Sequence, residues 1–320
     1  MKPKVLFVRE KWSDGNPGLG KSDGNYMIPT LESSGVGEEP VIFYYDEGLG
    51  KSEAGTIDEQ LLKIADHVKP DLIVFSHLLS WGEQNIRRET FSALRHCGMK
   101  VVGVWHEGVA PDVIRVADEM IDCVDFHVVL DTKEQHLKHT KFPEKYLGLY
   151  DPRDPAAFSD PGLPRDRLMS FVGTMLGRAH RCFGIAMLWA NGIPCDTIGR
   201  EGGIMPPEQY VDLLRRSKMG VNFADAGNGD TRHYKGRVAE VLLCGACLFE
   251  RKNPEIQNIL EPFIDYVEWE TFEDLVDKVR YYARFEDERA RIAERGKAKA
   301  QELLTGKVFW KAIFERAGVG

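Results

Sequence analysis

The sequence predicts an α/β protein made of two parallel-sheet domains, and three observations predict it. Short, near-continuous apolar runs such as Leu-Ile-Val-Phe at 72–75 alternate with segments of helical periodicity. That is the pattern of strands buried on both faces between helices. The alternation breaks once, in a tract at 151–167 with four prolines and little hydrophobic content, and then restarts. At 320 residues the chain also exceeds the usual size of one domain.

In the first half, apolar runs predict strands at 4–9, 40–45, 71–77, 100–105, 126–130 and 146–150. Helical patterns lie between them at 56–68, 84–96 and 110–121, the last with Pro111 placed for a first turn. After the proline tract, strands are expected at 168–172, 195–198, 219–223 and 263–267. Helices are expected at 178–190, 207–216, 272–285 and 287–304, with Thr271 as an N-cap and Asp274 three residues on. An amphipathic tail helix spans 307–317. The domains are therefore drawn as 1–150, a linker at 151–167, and 168–302, with 303–320 packing back on the first domain.

Composition excludes several classes. With 43% hydrophobic and 29% charged residues, and apolar runs too short to span a bilayer, the chain reads as an ordinary enzyme without a transmembrane segment. Its N-terminus runs directly into a strand without a signal-peptide layout, so a cytoplasmic location is expected. The six cysteines are scattered. Cys244 and Cys247 form a CxxC inside an apolar run with no second ligand pair, which reads as buried thiols rather than a metal site. Residues 1–150 carry 17 Lys and Arg against 24 Asp and Glu; residues 151–320 carry 25 against 26. An acidic first half and a locally basic second half disfavour nucleic acid and suit a small anionic ligand.

The chemistry concentrates at 235–250. A short helix at 237–244 is followed by Gly245, the left-handed stop, and then by a strand. Lys235 and Arg237 sit at the helix start and Glu240 follows one turn later on the face of Arg237. Cations at a helix start suit an anionic group such as a diphosphate, and a carboxylate one turn on suits a ribose diol. Arg178 and Arg181 form an earlier basic cluster. The tract Gly15 to Ser22 matches the phosphate-loop pattern GxxxxGK[ST]. However, Glu10 to Asp14 separate it from its strand, and Gly24 and Pro29 are poor in a helix interior. A glycine-rich loop facing the ligand is the expected role. In parallel sheets ligands bind beyond the carboxyl ends of strands, which directs attention to His77, His106 and Glu107. Asp225 and Asp230, in a loop before the helix at 237–244, read as solvated residues, with hydrogen bonding to sugar hydroxyls as the alternative.

The second half resembles a known family in several motifs. They are Phe171-Val-Gly-Thr, Pro207-Glu-Gln-Tyr-Val-Asp-Leu-Leu-Arg-Arg-Ser-Lys, Gly220-Val-Asn-Phe, Lys235-Gly-Arg-Val-Ala-Glu-Val-Leu-Leu-Cys-Gly-Ala and Phe272-Glu-Asp-Leu-Val-Asp-Lys-Val-Arg-Tyr-Tyr. In this order they resemble the C-terminal domain of group-1 glycosyltransferases, especially the CgeB-like subgroup. The resemblance implies the GT-B fold, two Rossmann-like domains facing a central cleft. It also implies transfer of a sugar from a UDP-, GDP- or dTDP-linked donor, with no metal or other cofactor required, to a small-molecule, glycan or protein acceptor. On that resemblance Glu240 holds the ribose, and Lys235 and Arg237 contact the diphosphate. Gly173, with Thr174 beside it, lets the backbone approach the phosphates; Arg178 or Arg181 adds a cation; and Gly199 borders the base. His106 and Glu107, then His77, are the candidate base or acceptor-binding groups. The commoner retaining relatives carry a Glu where Arg232 stands, so retention is not carried over. A nucleotide-sugar epimerase and a non-catalytic CgeB-like nucleotide- or glycan-binding protein share these motifs and are the alternatives.

Overall fold

A computed structural model describes residues 1–12, 16, 26–47, 55–76, 86–199, 207–225 and 231–320. His77, Asp230 and the glycine-rich tract at 15–24 other than Asn16 lie outside these. The chain divides into two compact units, Met1–Pro152 with Gly306–Gly320, and Arg153–Thr305.

The first unit carries a six-stranded sheet of β1 (Val5–Arg9), β2 (Val41–Tyr44), β3 (Leu72–Ser76), β4 (Lys100–Trp105), β5 (Phe126–Val129) and β6 (Tyr146–Gly148). The order is β2-β1-β3-β4-β5-β6 and every pairing is parallel. Its helices include α1 (Met27–Ser34), α2 (Ile57–Val68), α3 (Arg88–His96) and α4 (Pro111–Asp118). Alternation along the strands divides the core in two. Leu6, Val8, Ile73 and Phe75 pack in one cluster, while Val5, Phe7, Leu72 and Val74 pack in the other. Thr56 and Glu59 form a capping box that starts α2. Helix α1 is an element the sequence reading lacks. Pro29 is its third residue, where the missing N–H has no intrahelical acceptor to lose, so the proline is tolerated there.

The second unit runs through β7 (Arg167–Val172), α5 (Ala179–Ala190), β8 (Cys195–Ile198), α6 (Pro207–Arg216), β9 (Ser217–Asn222) and α7 (Arg237–Leu243). It continues through β10 (Cys247–Arg251), α8 (Pro254–Gln257), β11 (Val267–Trp269), α9 (Phe272–Arg284) and α10 (Glu286–Leu303). The sheet order is β11-β10-β9-β7-β8, again all parallel. The strand expected at 263–267 begins only at Val267. Phe263 is left-handed, and the carbonyl of Glu261 accepts from the amides of Ile264 and Asp265, which makes this stretch a turn. The proline tract is stitched to its own unit. Arg165 donates to the carbonyls of Ser217 and Cys244, both at 2.8 Å, and Lys297 donates to Asp160 at 3.2 Å.

The last helix, α11 (Gly306–Ala317), belongs to the first unit. Trp310 meets Phe7 edge-on at 5.4 Å and donates its indole N–H to Thr30 Oγ1 at 3.0 Å. Gly306 is required for this seat, because a Cβ there would lie 2.0 Å from the Thr30 carbonyl oxygen.

Candidate functional site

In the second sheet the strand order reverses between β7 and β9, and the carboxyl ends of these strands define the crevice where such sheets bind ligands. Gly173, directly after β7, has φ +143° and donates its amide to the Ile198 carbonyl at 2.8 Å, just before Gly199. A Cβ on Gly173 would fall 2.0 Å from Arg237 Nη2, so only glycine leaves room for that guanidinium. Arg237 lies over the Phe171 ring at 4.8 Å and donates Nη1 to Asn222 Oδ1 at 2.7 Å. Its Nε is buried without a hydrogen-bond partner among the described residues.

Behind Arg237 runs a buried polar chain that sequence reading missed. Asn222 donates Nδ2 to Glu250 Oε2 at 2.7 Å, and Asn253 donates Nδ2 to Glu250 Oε1 at 3.3 Å and to the His233 carbonyl at 3.0 Å. Glu250 is fully buried, and burial pushes its carboxyl up to about 7. The available signal was a lone acid ending the apolar run Cys247-Leu-Phe, since an isolated charge in a buried strand needs partners.

Glu240, one turn into α7, is also buried. Its Oε1 accepts from Arg153 Nε at 2.7 Å and its Oε2 from the Tyr210 hydroxyl. Burial, then the Glu240 charge, raises the Tyr210 phenol well above its usual range. A carboxylate offers about four acceptor positions, so these two bonds leave acceptor capacity for a ligand diol. Because α7 has only seven residues, anion binding here rests on side-chain cations more than on a helix dipole.

The other expected residues divide by exposure. Arg181 is buried, donates to the Thr174 carbonyl at 2.8 Å and lies 5.9 Å from the Phe171 ring, so it braces the loop. Arg178, at the N-cap of α5, is half-buried and its side chain makes no hydrogen bond or ion pair among the described residues. Lys235 is half-buried at the entry to α7. Asp225 corrects the sequence reading: it is buried rather than solvated. Arg251 Nη1 holds its two oxygens at 2.8 and 3.0 Å, and His180 Nε2 lies 3.6 Å away. Arg232 is turned to the Lys252 carbonyl at 2.6 Å. Cys244 and Cys247 are buried, with thiols pushed up to about 12 by burial.

In the first unit, His106 and Glu107 follow β4, both half-buried, with Glu107 in the left-handed region at φ 58°. The His106 ring meets Tyr26 edge-on at 6.2 Å, and the Tyr26 hydroxyl donates to Asp151 Oδ1. Gly108 donates its amide to Asp131 Oδ1 at 3.0 Å, which fixes the turn. A groove in the second unit, lined by Arg167, Asp196, Asp212 and Arg216, is a weaker candidate because its charges already pair with one another.

Comparison with known proteins bears on the fold and on the second unit. A family model described as glycosyl transferase-like matches residues 167–309, a region that holds both Gly173 and Glu240. HepE of Anabaena, solved in complex with UDP-glucose, superposes with a TM-score of 0.66 at 11% identity, covering 99% of each chain. Sucrose-phosphate synthase of Thermosynechococcus elongatus gives a TM-score of 0.60 at 11% identity, covering 99% of this chain and 97% of that one. The fold is GT-B. The catalytic domain of starch synthase IV from Arabidopsis thaliana, bound to ADP and acarbose, reaches a TM-score of 0.65 at 8% identity over 99% of both chains. No curated protein sequence matches significantly. No described helix is long and apolar enough to cross a membrane.

Proposed function

We propose that the protein is a glycosyltransferase that moves a sugar from a nucleoside-diphosphate sugar, bound by the second unit, to an acceptor bound by the first. The observation that carries this reading is Arg237, seated on Gly173 and Phe171 at the reversal of the second sheet, with Glu240 one turn behind it. HepE and starch synthase IV, solved with UDP-glucose and with ADP, share the fold that presents this position.

Departure of a nucleoside diphosphate develops negative charge on the leaving oxygen. A guanidinium held by Asn222 and by the Phe171 face is already oriented and need not reorganise as that charge appears, which is the strongest form of electrostatic stabilisation. Arg178 and Lys235 supply further positive charge at the same strand ends. Glu240, oriented by Arg153 and Tyr210, accepts from the ribose hydroxyls. His106 and Glu107 serve the acceptor hydroxyl as base or hydrogen-bond partner. Because fixed cations stabilise the leaving group, turnover is independent of a divalent metal. The acceptor-side role of the first unit and the cytoplasmic location belong to this same reading.

Calorimetric titration with UDP, GDP, dTDP and ADP tests it. At least one binds the wild type, and Arg237→Gln weakens that binding at least tenfold with an unchanged melting temperature. If none of the four binds, or if Arg237→Gln binds as well as wild type, the assignment is wrong. Incubation with the sugar-linked donor and no acceptor separates transferase from epimerase, since an epimerase converts the sugar while a transferase only hydrolyses it slowly.

A further inference from the structure

One buried cation in the first unit has a guanidinium without a hydrogen-bond partner among the described residues. Arg9, the last residue of β1, is 3% exposed, and its Nε and Nη1 are enclosed without hydrogen-bond partners. Its guanidinium makes no hydrogen bond or ion pair with any described residue. Burial lowers its pKa from the ordinary value, but a guanidinium stays charged at neutral pH. Tyr26, Glu10, Tyr45 and Tyr44 are the titratable groups whose fields reach it. A buried guanidinium left without hydrogen bonds is destabilising, so a position that keeps one points to a partner that arrives from outside.

The neighbouring residue has the same deficit. Continuing the β1–β3 register past Val8 and Phe75 sets Ser76 beside Arg9, and the Ser76 hydroxyl is likewise buried without a partner. Both follow the alternation of Phe7 and Val74, so they lie on the sheet face covered by α1 and α11. Tyr26 caps α1 on that face, and His106, leaving β4, sets its ring against Tyr26. The strand order reverses between β1 and β3, so Arg9 and Ser76 stand at the ligand-binding end of the first sheet.

We propose that Arg9 and Ser76 hold an oxyanion, a carboxylate or a phosphate group, carried by the acceptor substrate. This rests on reading the first unit as the acceptor side. The guanidinium supplies charge-assisted N–H donors to the oxyanion and the serine adds a neutral O–H. His106 then stands on the same face, where a hydroxyl of that acceptor would lie.

The test uses the full chain and three probes: inorganic phosphate, glucuronate and glucose. Calorimetry and melting temperature are read for wild type, Arg9→Met, Arg9→Gln and Arg237→Gln. Phosphate or glucuronate binds wild type and raises its melting temperature, and whichever binds tighter identifies the anion. Glucose binds at least tenfold more weakly. Both Arg9 variants lose at least tenfold in anion affinity, whereas Arg237→Gln keeps it. Without ligand, Arg9→Met melts at or above the wild-type temperature, because an unpaired charge has been removed. The proposal is overturned if the Arg9 variants bind anions as wild type does, if only Arg237→Gln loses binding, or if Arg9→Met lowers the ligand-free melting temperature as the loss of a structural pair would. Calorimetry with UDP, GDP, dTDP and ADP on the same samples separates the two readings. Anion binding that depends on Arg9 with none of the four nucleotides bound keeps this site and sinks the transferase reading, and the converse keeps the donor site and sinks this one.

Discussion

Replacing Glu250 with glutamine tests the polar chain behind Arg237, because every orientation in that chain is constrained. Asn222 gives its carbonyl oxygen to Arg237, so its amide N–H must point at Glu250; Asn253 gives its carbonyl oxygen to the Glu255 amide, so its N–H does the same. Both oxygens of Glu250 must therefore accept. A protonated carboxyl retains acceptor capacity on each oxygen, but a glutamine nitrogen has none, so one donor faces another in Glu250→Gln. That mismatch costs about 1–3 kcal/mol. Ionisation adds a pH-dependent difference. The Glu250 carboxyl titrates at about 7 in the folded protein against an ordinary 4.5. Below pH 4.5 it is protonated in both folded and unfolded states, and its contribution is fully present. Between 4.5 and 7 the folded state keeps a proton the unfolded state releases, so stability falls as pH rises. Above 7 about 3 kcal/mol has been lost, at 1.36 kcal/mol per pKa unit. Urea unfolding from pH 4.5 to 8 should therefore find Glu250→Gln less stable than wild type in acid, with the gap closing by about 3 kcal/mol toward pH 8. A gap that stays constant across this range would refute the argument that Glu250 is buried and protonated in acid.

Gly173→Ala should destabilise by about 1–3 kcal/mol through its left-handed backbone alone. It should also weaken nucleotide binding at least tenfold, read by calorimetry, because the new methyl occupies the seat of Arg237 Nη2. His127 has the opposite pH signature to Glu250. Burial lowers its pKa to about 4 while its Nδ1 accepts from the Trp105 indole at 2.9 Å, so its contribution is full above 6.5 and falls by about 3 kcal/mol as pH drops to 4. His127→Phe should flatten the acid limb of the unfolding profile. Glu240→Gln should lower the melting temperature as well as nucleotide affinity, because it leaves Arg153 buried and short of a counter-charge. Activity should survive chelation by EDTA, and loss of turnover that returns with magnesium or manganese would contradict leaving-group stabilisation by fixed cations.

The sequence by itself determined the secondary elements, because strand and helix periodicities are local. The runs at 100–105, 195–198 and 207–216 form as predicted. Thr271 accepts from the Asp274 amide, and Gly245 stops its helix at φ 74°. The shared face of Arg237 and Glu240 was equally legible, since residues three apart on a helix lie on one face. Tertiary structure alone decided which charges are free. Glu240 finds Arg153 at a separation of 87 residues and Tyr210 at 30, while Asp225 is drawn into the interior by Arg251. The Arg9 guanidinium finds no hydrogen-bond partner among the described residues, and no local pattern distinguishes it from an ordinary surface arginine. The physical reason is that periodicity fixes the face on which a side chain lies, whereas sheet register and helix packing bring distant side chains to that face.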